Sequence, residues 1–462
     1  MKKTVTVVLS VFLVLAPAYL GASYYVGLQA AKLHDQWISR LNGSKRLKVS
    51  AVSYKRGLFR SVALTKLTVA DPPKGRAVSF ELVDTIYHGP FVFLHDPHFT
   101  AGLRPVMAVI QTRPAVGTGM KEVLEKVPEL ASAELLTVLS IDGGAASYLD
   151  IPAFQHKFPQ AKGGQMDVKW GGLTGKFSIG EHSGEAVGSC DCPSLLVNGQ
   201  DGEFRMEGMR GQFDSHAGIK GISVGSSALS IGGIEAAEKG HSVFTLASFG
   251  IKAQSRVDGD KINGSIRVDF NKLNTGILGL GPFAMDFEAR KLDAAVLARF
   301  QKLAPVLQRE GMENSNAARS QMKGMFAKMA ADLLAGRPEF EIKQLDLRTD
   351  KGDLTGKARL AFDGNGQDLS RNILALAASV NASAELSVSQ ALFYFVAQNE
   401  LGNKGAADSA QAKADAGQLA ARLLASKYMI DDSGAFKSSA SFKHGVLTVN
   451  GNRLGMGLSN VH

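Results

Sequence analysis

The dominant pattern along the chain is an alternation of period two. Ile262, Gly264, Ile266, Val268 and Phe270 interleave with Lys261, Asn263, Ser265, Arg267 and Asp269. Leu354, Gly356, Ala358, Leu360 and Phe362 repeat the pattern, as do Phe283, Met285 and Phe287, and Met166, Val168 and Trp170. Successive side chains of a strand point to opposite faces, so each run predicts a strand with one apolar and one wet face, as antiparallel sheets have. Two runs change phase by one residue: Val62 and Leu64 precede Leu67 and Val69, and Phe340 and Ile342 precede Leu345 and Leu347. Such a change predicts a β-bulge, which bends and twists a sheet, and the glycines within strands point the same way. Asp258-Gly259-Asp260, Asp350-Lys351-Gly352-Asp353 and Asn198-Gly199 are turn signals between runs.

Helical spacing is confined to a few places. Met120 to Leu130 predicts a short helix, and Leu292, Val296, Leu303 and Val306–Leu307 predict another, with Asp293 in its first turn. Met322, Met325, Phe326, Met329, Leu333 and Leu334 form an apolar stripe that suits core packing better than a cofactor box. Ser387–Leu401 and Asp408–Leu424 read as further helices, broken by Gly402-Asn403-Lys404-Gly405. Helices interrupting strands after residue 290 give the class α+β, strongly β-rich, with long curved antiparallel sheets. Lys261–Phe270, Asp353–Phe362 and Gly445–Val449 echo one another without a fixed period.

The N-terminus carries a different signal. Lys2 and Lys3 are the only charges before Lys32, and Val5 to Leu28 is long and apolar enough to cross a bilayer. Tyr19, Tyr24 and Tyr25 lie where aromatic rings favour an interface. Ala16 and Ala18 also suit a signal peptidase, but the uncharged stretch continues beyond them, which favours a retained anchor. The expected organisation is a cytoplasmic tail 1–4, a transmembrane anchor 5–28, a β-rich periplasmic region 29–290 and an α+β region 291–462.

Composition narrows the classes. The 462 residues are 45% hydrophobic and 21% charged, which excludes wholesale disorder, and two cysteines exclude a disulfide scaffold. The first block after the span is basic: Arg40, Lys45, Arg46, Lys48, Lys55, Arg56, Arg60, Lys66, Lys74 and Arg76 face only Asp71. Beside a membrane it would attract anionic headgroups; on strands it would line a solvent face and deter edge pairing.

Candidate chemistry is sparse. Cys190 and Cys192 form a C-x-C whose disulfide would close a strained ring, and no companion ligands suggest zinc. His88, His95, Asp96 and His98 have metal-ligating side chains at a spacing that matches no helix face. Gly221-Ile222-Ser223-Val224-Gly225 matches the G-x-S-x-G string, which needs a strand turning into a helix, whereas its surroundings read as strand. The sequence therefore assigns no catalytic residue, cofactor or metal site, and no nucleic-acid module.

Three short segments carry a resemblance. Tyr54-Lys55-Arg56-Gly57-Leu58-Phe59-Arg60-Ser61, Tyr87-His88-Gly89-Pro90-Phe91 and Gly445-Val446-Leu447-Thr448-Val449-Asn450-Gly451 occur in order behind an apolar anchor. This set resembles the YdgA-like bacterial family. The resemblance implies a Gram-negative inner-membrane protein with its bulk in the periplasm, of unassigned function and without established catalytic residues. Physically, Arg56 to Phe59 reads as a turn in which Gly57 takes a conformation other residues resist, and Gly89-Pro90 and Asn450-Gly451 read as turns. The expected role is a non-catalytic envelope scaffold or protein-interaction component. The alternatives are a curved β groove that binds or transfers lipid or another hydrophobic ligand, and an envelope hydrolase.

Overall fold

The computed structural model describes residues 47–69, 78–88, 92, 106–115, 120–160, 163–180, 184–275, 279–301, 329–363, 379–401 and 410–454. The expected N-terminal anchor and half of the methionine stripe, Met322, Met325 and Phe326, lie outside them. Among the described residues no helix is long and apolar enough to cross a membrane. Strands dominate, all pairings are antiparallel, and the chain forms two compact units that divide at Asp214.

The first unit is a meander. Strands β1 (Leu47–Lys55), β2 (Arg60–Val69), β3 (Val78–His88), β4 (Val106–Pro114) and β5 (Glu134–Ser140) pair in sequence order. Next come β6 (Ala145–Ile151) and β7 (Phe154–Pro159), then β8 (Gln165–Trp170) and β9 (Leu173–Ile179). β6 pairs with β9 and β7 with β8, and β10 (Ala186–Asn198) runs along both β9 and β8. Helix α1 (Lys121–Lys126) is shorter than expected: Val127 leaves helical geometry before Pro128, where the proline ring crowds its backbone, and a 3₁₀ turn Pro128–Ser132 follows. Strands β2 to β5 are packed on both faces. Ile86 and Ala108 centre one cluster, and Val92, Val106, Val109 and Leu136 the other.

The expected bulge in β2 is not there. β2 pairs with β3 without a break from Arg60 to Val69, and the irregularity falls on β1 at Val52. Leu67 and Val69 share a face with Ser61, Ala63 and Thr65, which are almost wholly buried. Small and hydroxyl side chains fill that face, so the apolar letters alone misplaced the phase.

β11 (Glu203–Ala217) spans the division between the units. The second unit is again a meander: β12 (Ser223–Glu238), β13 (His241–Asp258), β14 (Lys261–Phe270) in line with β15 (Lys272–Asn274), β16 (Gly279–Asp293), β17 (Glu339–Thr349), β18 (Gly352–Phe362) and β19 (Val380–Ser389). β21 (Ala435–Lys443) continues it, flanked by β20 (Ile430–Asp432) and by β22 (Val446–Val449), which pairs with β23 (Asn452–Leu454). The strands around residues 262, 354 and 447 that echo one another in sequence are members of this one meander.

The phase change in β17 is a bulge. Ile342 pairs with Ala358 and Leu345 with Gly356, so Lys343 and Gln344 together oppose Lys357. The extra residue keeps Phe340, Ile342, Leu345 and Leu347 on one face. Two-residue turns join β13 to β14 at Gly259-Asp260 and β17 to β18 at Asp350-Lys351, where the sequence signals them.

Helices sit at the ends of this sheet. β16 runs on to Asp293, whose Oδ1 accepts from the amides of Ala295 and Val296 and caps the helical residues 294–301. Helix α2 (Gln390–Leu401) follows β19 directly and lays Phe393 and Tyr394 edge-on against Phe436, with ring centroids 5.1 and 5.9 Å away. Helix α3 (Ala410–Ala425) buries Ala412, Ala416 and Ala420, a small stripe that lets it pack closely against α2.

Candidate functional site

The residues singled out in sequence fall in different places. Tyr54 to Ser61 forms the β1–β2 turn, and its neighbour across the sheet is the end of β3. Arg60 pairs with Tyr87, and its guanidinium lies 5.7 Å from the centre of the Tyr87 ring. The His88 amide donates to the Phe59 carbonyl at 3.0 Å, and the Ser61 hydroxyl lies 3.0 Å from His88 Nε2, with both side chains buried. The first two sequence segments of the resemblance thus meet. Gly57 is needed for space: a Cβ there would stand 2.3 Å from the Arg60 carbonyl oxygen.

Ser61 and His88 have the separation of a nucleophile and its base. The nearby carboxylate, Asp84, does not complete a triad: it accepts from Thr65 Oγ1 at 3.1 Å and Thr112 Oγ1 at 2.5 Å. Ser61, Thr65, Asp84 and His88 are all buried, and their hydrogen bonds tie β2, β3 and β4 together. His95, Asp96 and His98 lie outside the described residues, and among those described no cluster of metal ligands occurs.

Cys190 and Cys192 are free thiols on one face of β10. The strained disulfide does not form, because an extended strand holds alternate residues apart. Cys192 is fully buried, and burial pushes its thiol up from the ordinary value. Ser223 opens β12 after a turn in which the Ile222 amide donates to the Ile219 carbonyl. A turn into a strand is not a nucleophile elbow, so the G-x-S-x-G string is incidental.

What the sequence did not single out is the state of the apolar face in the second unit. One cross-strand row runs Leu229, Ile251, Val268, Met285, Leu345, Gly356 and Leu386. The next runs Ala253, Ile266, Phe287, Ile342, Ala358, Ala384, Ala440 and Val449. Neither row contains a charged side chain, and no member of either is buried. Leu229, Ile266 and Leu386 are 37, 41 and 44% exposed. With strands about 4.8 Å apart, the second row extends roughly 34 Å. The parallel row Leu354, Val388 and Phe436 lies at the end where α2 packs. Part of the face sinks into a depression of about 400 Å³ around Ala358, Ala382, Ala384 and Ala440.

The opposite face carries a charge ladder. Arg290 donates to Glu288 at 2.6 Å, Glu339 at 3.1 Å and Glu341 at 2.8 Å. Lys291 and Arg359 also reach Glu339, at 2.5 and 3.2 Å, and Lys343 reaches Glu288 at 2.7 Å. The Lys291 hydrogen bond, with that of Arg290, holds the Glu339 carboxyl down at about 2. Lys343 likewise holds Glu288 below the usual carboxylate range. Every charge named here has a partner, which makes the ladder a clamp between β16, β17 and β18.

A family described as "Bacterial protein of unknown function (DUF945)" matches residues 1–455 of the sequence. Neither the curated proteins nor the solved structures gave a match.

Proposed function

The chain belongs to this bacterial family of unknown function, and from that premise we propose that it is a non-catalytic, membrane-anchored envelope protein that binds lipid on the apolar face of its second unit. The observation that carries the reading is the pair of charge-free rows from Leu229 to Leu386 and from Ala253 to Val449, none of whose members is buried and in which Leu229, Ile266 and Leu386 are exposed. Soluble proteins rarely leave a continuous apolar surface of that extent in water, and such surfaces mark interaction sites. A long, narrow and uncharged strip suits an extended hydrocarbon chain, whose burial contributes about 0.8 kcal/mol per methylene. The face offers no hydrogen-bonding specificity, so recognition would rest on length and shape.

The location is part of the proposal. The uncharged stretch from Thr4 to Ala31 behind Lys2 and Lys3 supports a single inner-membrane span with the sheet in the periplasm. Lys48, Lys55, Arg56 and Arg60 are exposed on β1, β2 and their turn, and would face anionic headgroups beside such an anchor.

The test is lipid analysis of the full chain purified in mild detergent. Lipid retained in stoichiometric amount through size exclusion is the expected result. A lipid-free protein that takes none up from vesicles of its host's lipids would overturn the reading, and would leave the scaffold role.

A further inference from the structure

One end of the first unit's sheet has a composition of its own. A cross-strand row runs from Arg60 on β2 through Tyr87, Val109, Val138 and Ala146 to Ser178 on β9. Beyond that row lie the β1–β2 turn, the β5–β6 turn and the end of β9. Up to residue 180, six large apolar side chains among those described are exposed. Four of them stand beyond the row: Leu58, Phe59, Ile141 and Ile179, at 45, 44, 57 and 60%. The other two are Val52, at the irregularity in β1, and Val123 on α1, between β4 and β5 at the opposite end of the sheet. Apolar exposure in this part of the chain is thus concentrated at one end rather than scattered, which is the pattern of an interaction site.

The β1–β2 turn adds charge of one sign. Lys55, Arg56 and Arg60 are exposed around Leu58 and Phe59, and Leu47 to Val69 holds five basic residues and no acidic one. Lys55 pairs with Val62, and Arg60 lies two residues before Val62, so Lys55 and Arg60 share a face. The acids described at this end, Asp142 and Glu185, stand beside the β5–β6 and β9–β10 turns, which leaves the positive charge at the β1–β2 corner. The turn is held in shape, because the His88 amide ties the Phe59 carbonyl to β3 and Gly57 packs against the Arg60 carbonyl. Two apolar side chains at the crest of a fixed turn, ringed by cations, are complementary to an anionic bilayer. The apolar groups enter the acyl boundary while the cations stay at the level of the phosphates.

We propose that the β1–β2 turn is a membrane-contacting tip, with Leu58 and Phe59 entering the interface of an anionic bilayer and Lys55, Arg56 and Arg60 meeting its headgroups. The proposal rests on the envelope location and is independent of the lipid reading of the second unit. It fixes which end of the first unit faces the membrane. Leu47 and the turn lie at opposite ends of the nine-residue β1, roughly 30 Å apart, so tethering the chain ahead of Leu47 does not by itself bring the turn to a bilayer.

The experiment places a tryptophan at each end of the sheet in the full chain. Phe59→Trp and Val123→Trp are reconstituted into phosphatidylcholine vesicles with or without phosphatidylglycerol, and with or without brominated acyl chains. The emission each adds to that of Trp37 and Trp170 is read against wild type. With phosphatidylglycerol present, bromine is expected to quench the emission added by Phe59→Trp about twofold and to leave that of Val123→Trp unchanged. Phosphatidylcholine alone should weaken the quenching, and Lys55→Glu/Arg56→Glu in the Phe59→Trp background should remove its dependence on phosphatidylglycerol. Circular dichroism checks folding, and Leu58→Trp replaces Phe59→Trp if the latter does not fold. Quenching of Val123→Trp without quenching of Phe59→Trp would overturn the tip and put the opposite end against the membrane. No quenching of either, in a protein that stays with the vesicles, would also overturn it. Emission from Phe59→Trp that is shifted to the blue but insensitive to bromine would mark a protein partner on the turn and overturn the tip as well. Adding Ile266→Lys and Leu386→Lys should leave the quenching of Phe59→Trp as it was, so the tip and the lipid surface of the second unit stand or fall separately.

Discussion

Ser61 Oγ and His88 Nε2 lie 3.0 Å apart across β2 and β3, both buried, while the His88 amide closes onto the Phe59 carbonyl. This contact joins the two segments that stand out in the first hundred residues. Its partner ladder, Thr65–Asp84–Thr112, ties the same strands to β4.

A structural pair and a catalytic pair respond differently to truncation. Ser61→Ala removes one partner of a buried imidazole and is expected to cost about 1–3 kcal/mol, as is Thr65→Ala beside Asp84. Asp84→Leu, which removes a carboxylate from between two hydroxyls, should cost at least as much. Urea unfolding of the three variants checks this. An unchanged midpoint in all three would show that the buried polar network contributes nothing to holding β2, β3 and β4 together.

The charge ladder makes stability depend on pH in a defined window. The Glu339 carboxyl is held at about 2 against an ordinary value of 4.5. The unfolded chain therefore binds more protons between those values, and stability present above pH 4.5 is lost as pH falls toward 2. The full shift corresponds to at most about 3 kcal/mol. Glu339→Gln should lose most of that at pH 7, and Arg290, Lys291 and Arg359 would then crowd without their shared acceptor. The gap between variant and wild type should close as the pH approaches 2. A gap that stays constant from neutral to acid pH would place the stabilisation elsewhere.

The β17 bulge can be tested by deletion. Removing Gln344 brings Ile342 and Leu345 to ordinary alternation and leaves every apolar side chain on its face. Removing Ala358 from the regular β18 turns half of that strand over, because a one-residue slip exchanges the two faces. The Gln344 deletion is expected to fold with a loss of about 1–2 kcal/mol, and the Ala358 deletion to abolish soluble expression. Equal damage from both would contradict the bulge.

These cases show what the sequence can and cannot tell. Strands such as β14 and β18, and the turns at Gly259 and Lys351, are legible because period two and turn chemistry are local. The β17 bulge is legible for the same reason. The phase of β2 is not legible from its apolar residues because Ser61, Ala63 and Thr65, not the larger Val62 and Leu64, fill its most buried face. The ladder between Arg290 and Glu339 is not legible because residues 294–338 separate β16 from β17 in sequence. The alanine-lined depression around Ala358, Ala384 and Ala440 is not legible because it is assembled from three strands by register. No pattern distinguishes a strand face that water reaches from one that core covers, since both alternate with the same period.

That last ambiguity supplies the most direct test of the apolar face. Ile266 and Leu386 are 41 and 44% exposed on their rows. If nothing in the folded protein covers them, Ile266→Lys and Leu386→Lys should change stability by no more than about 0.5 kcal/mol, as surface substitutions do. If the face were core, a buried unpaired ammonium would cost several kcal/mol and the variants would unfold or aggregate. On the lipid reading the same variants should retain clearly less lipid than wild type while melting at nearly the same temperature, because each ammonium would have to desolvate against a hydrocarbon chain. Thermal melts paired with counting of bound lipid read both quantities from one preparation. Loss of stability with loss of lipid would mark the face as packed interior. Unchanged stability with unchanged lipid would move the binding surface away from these rows.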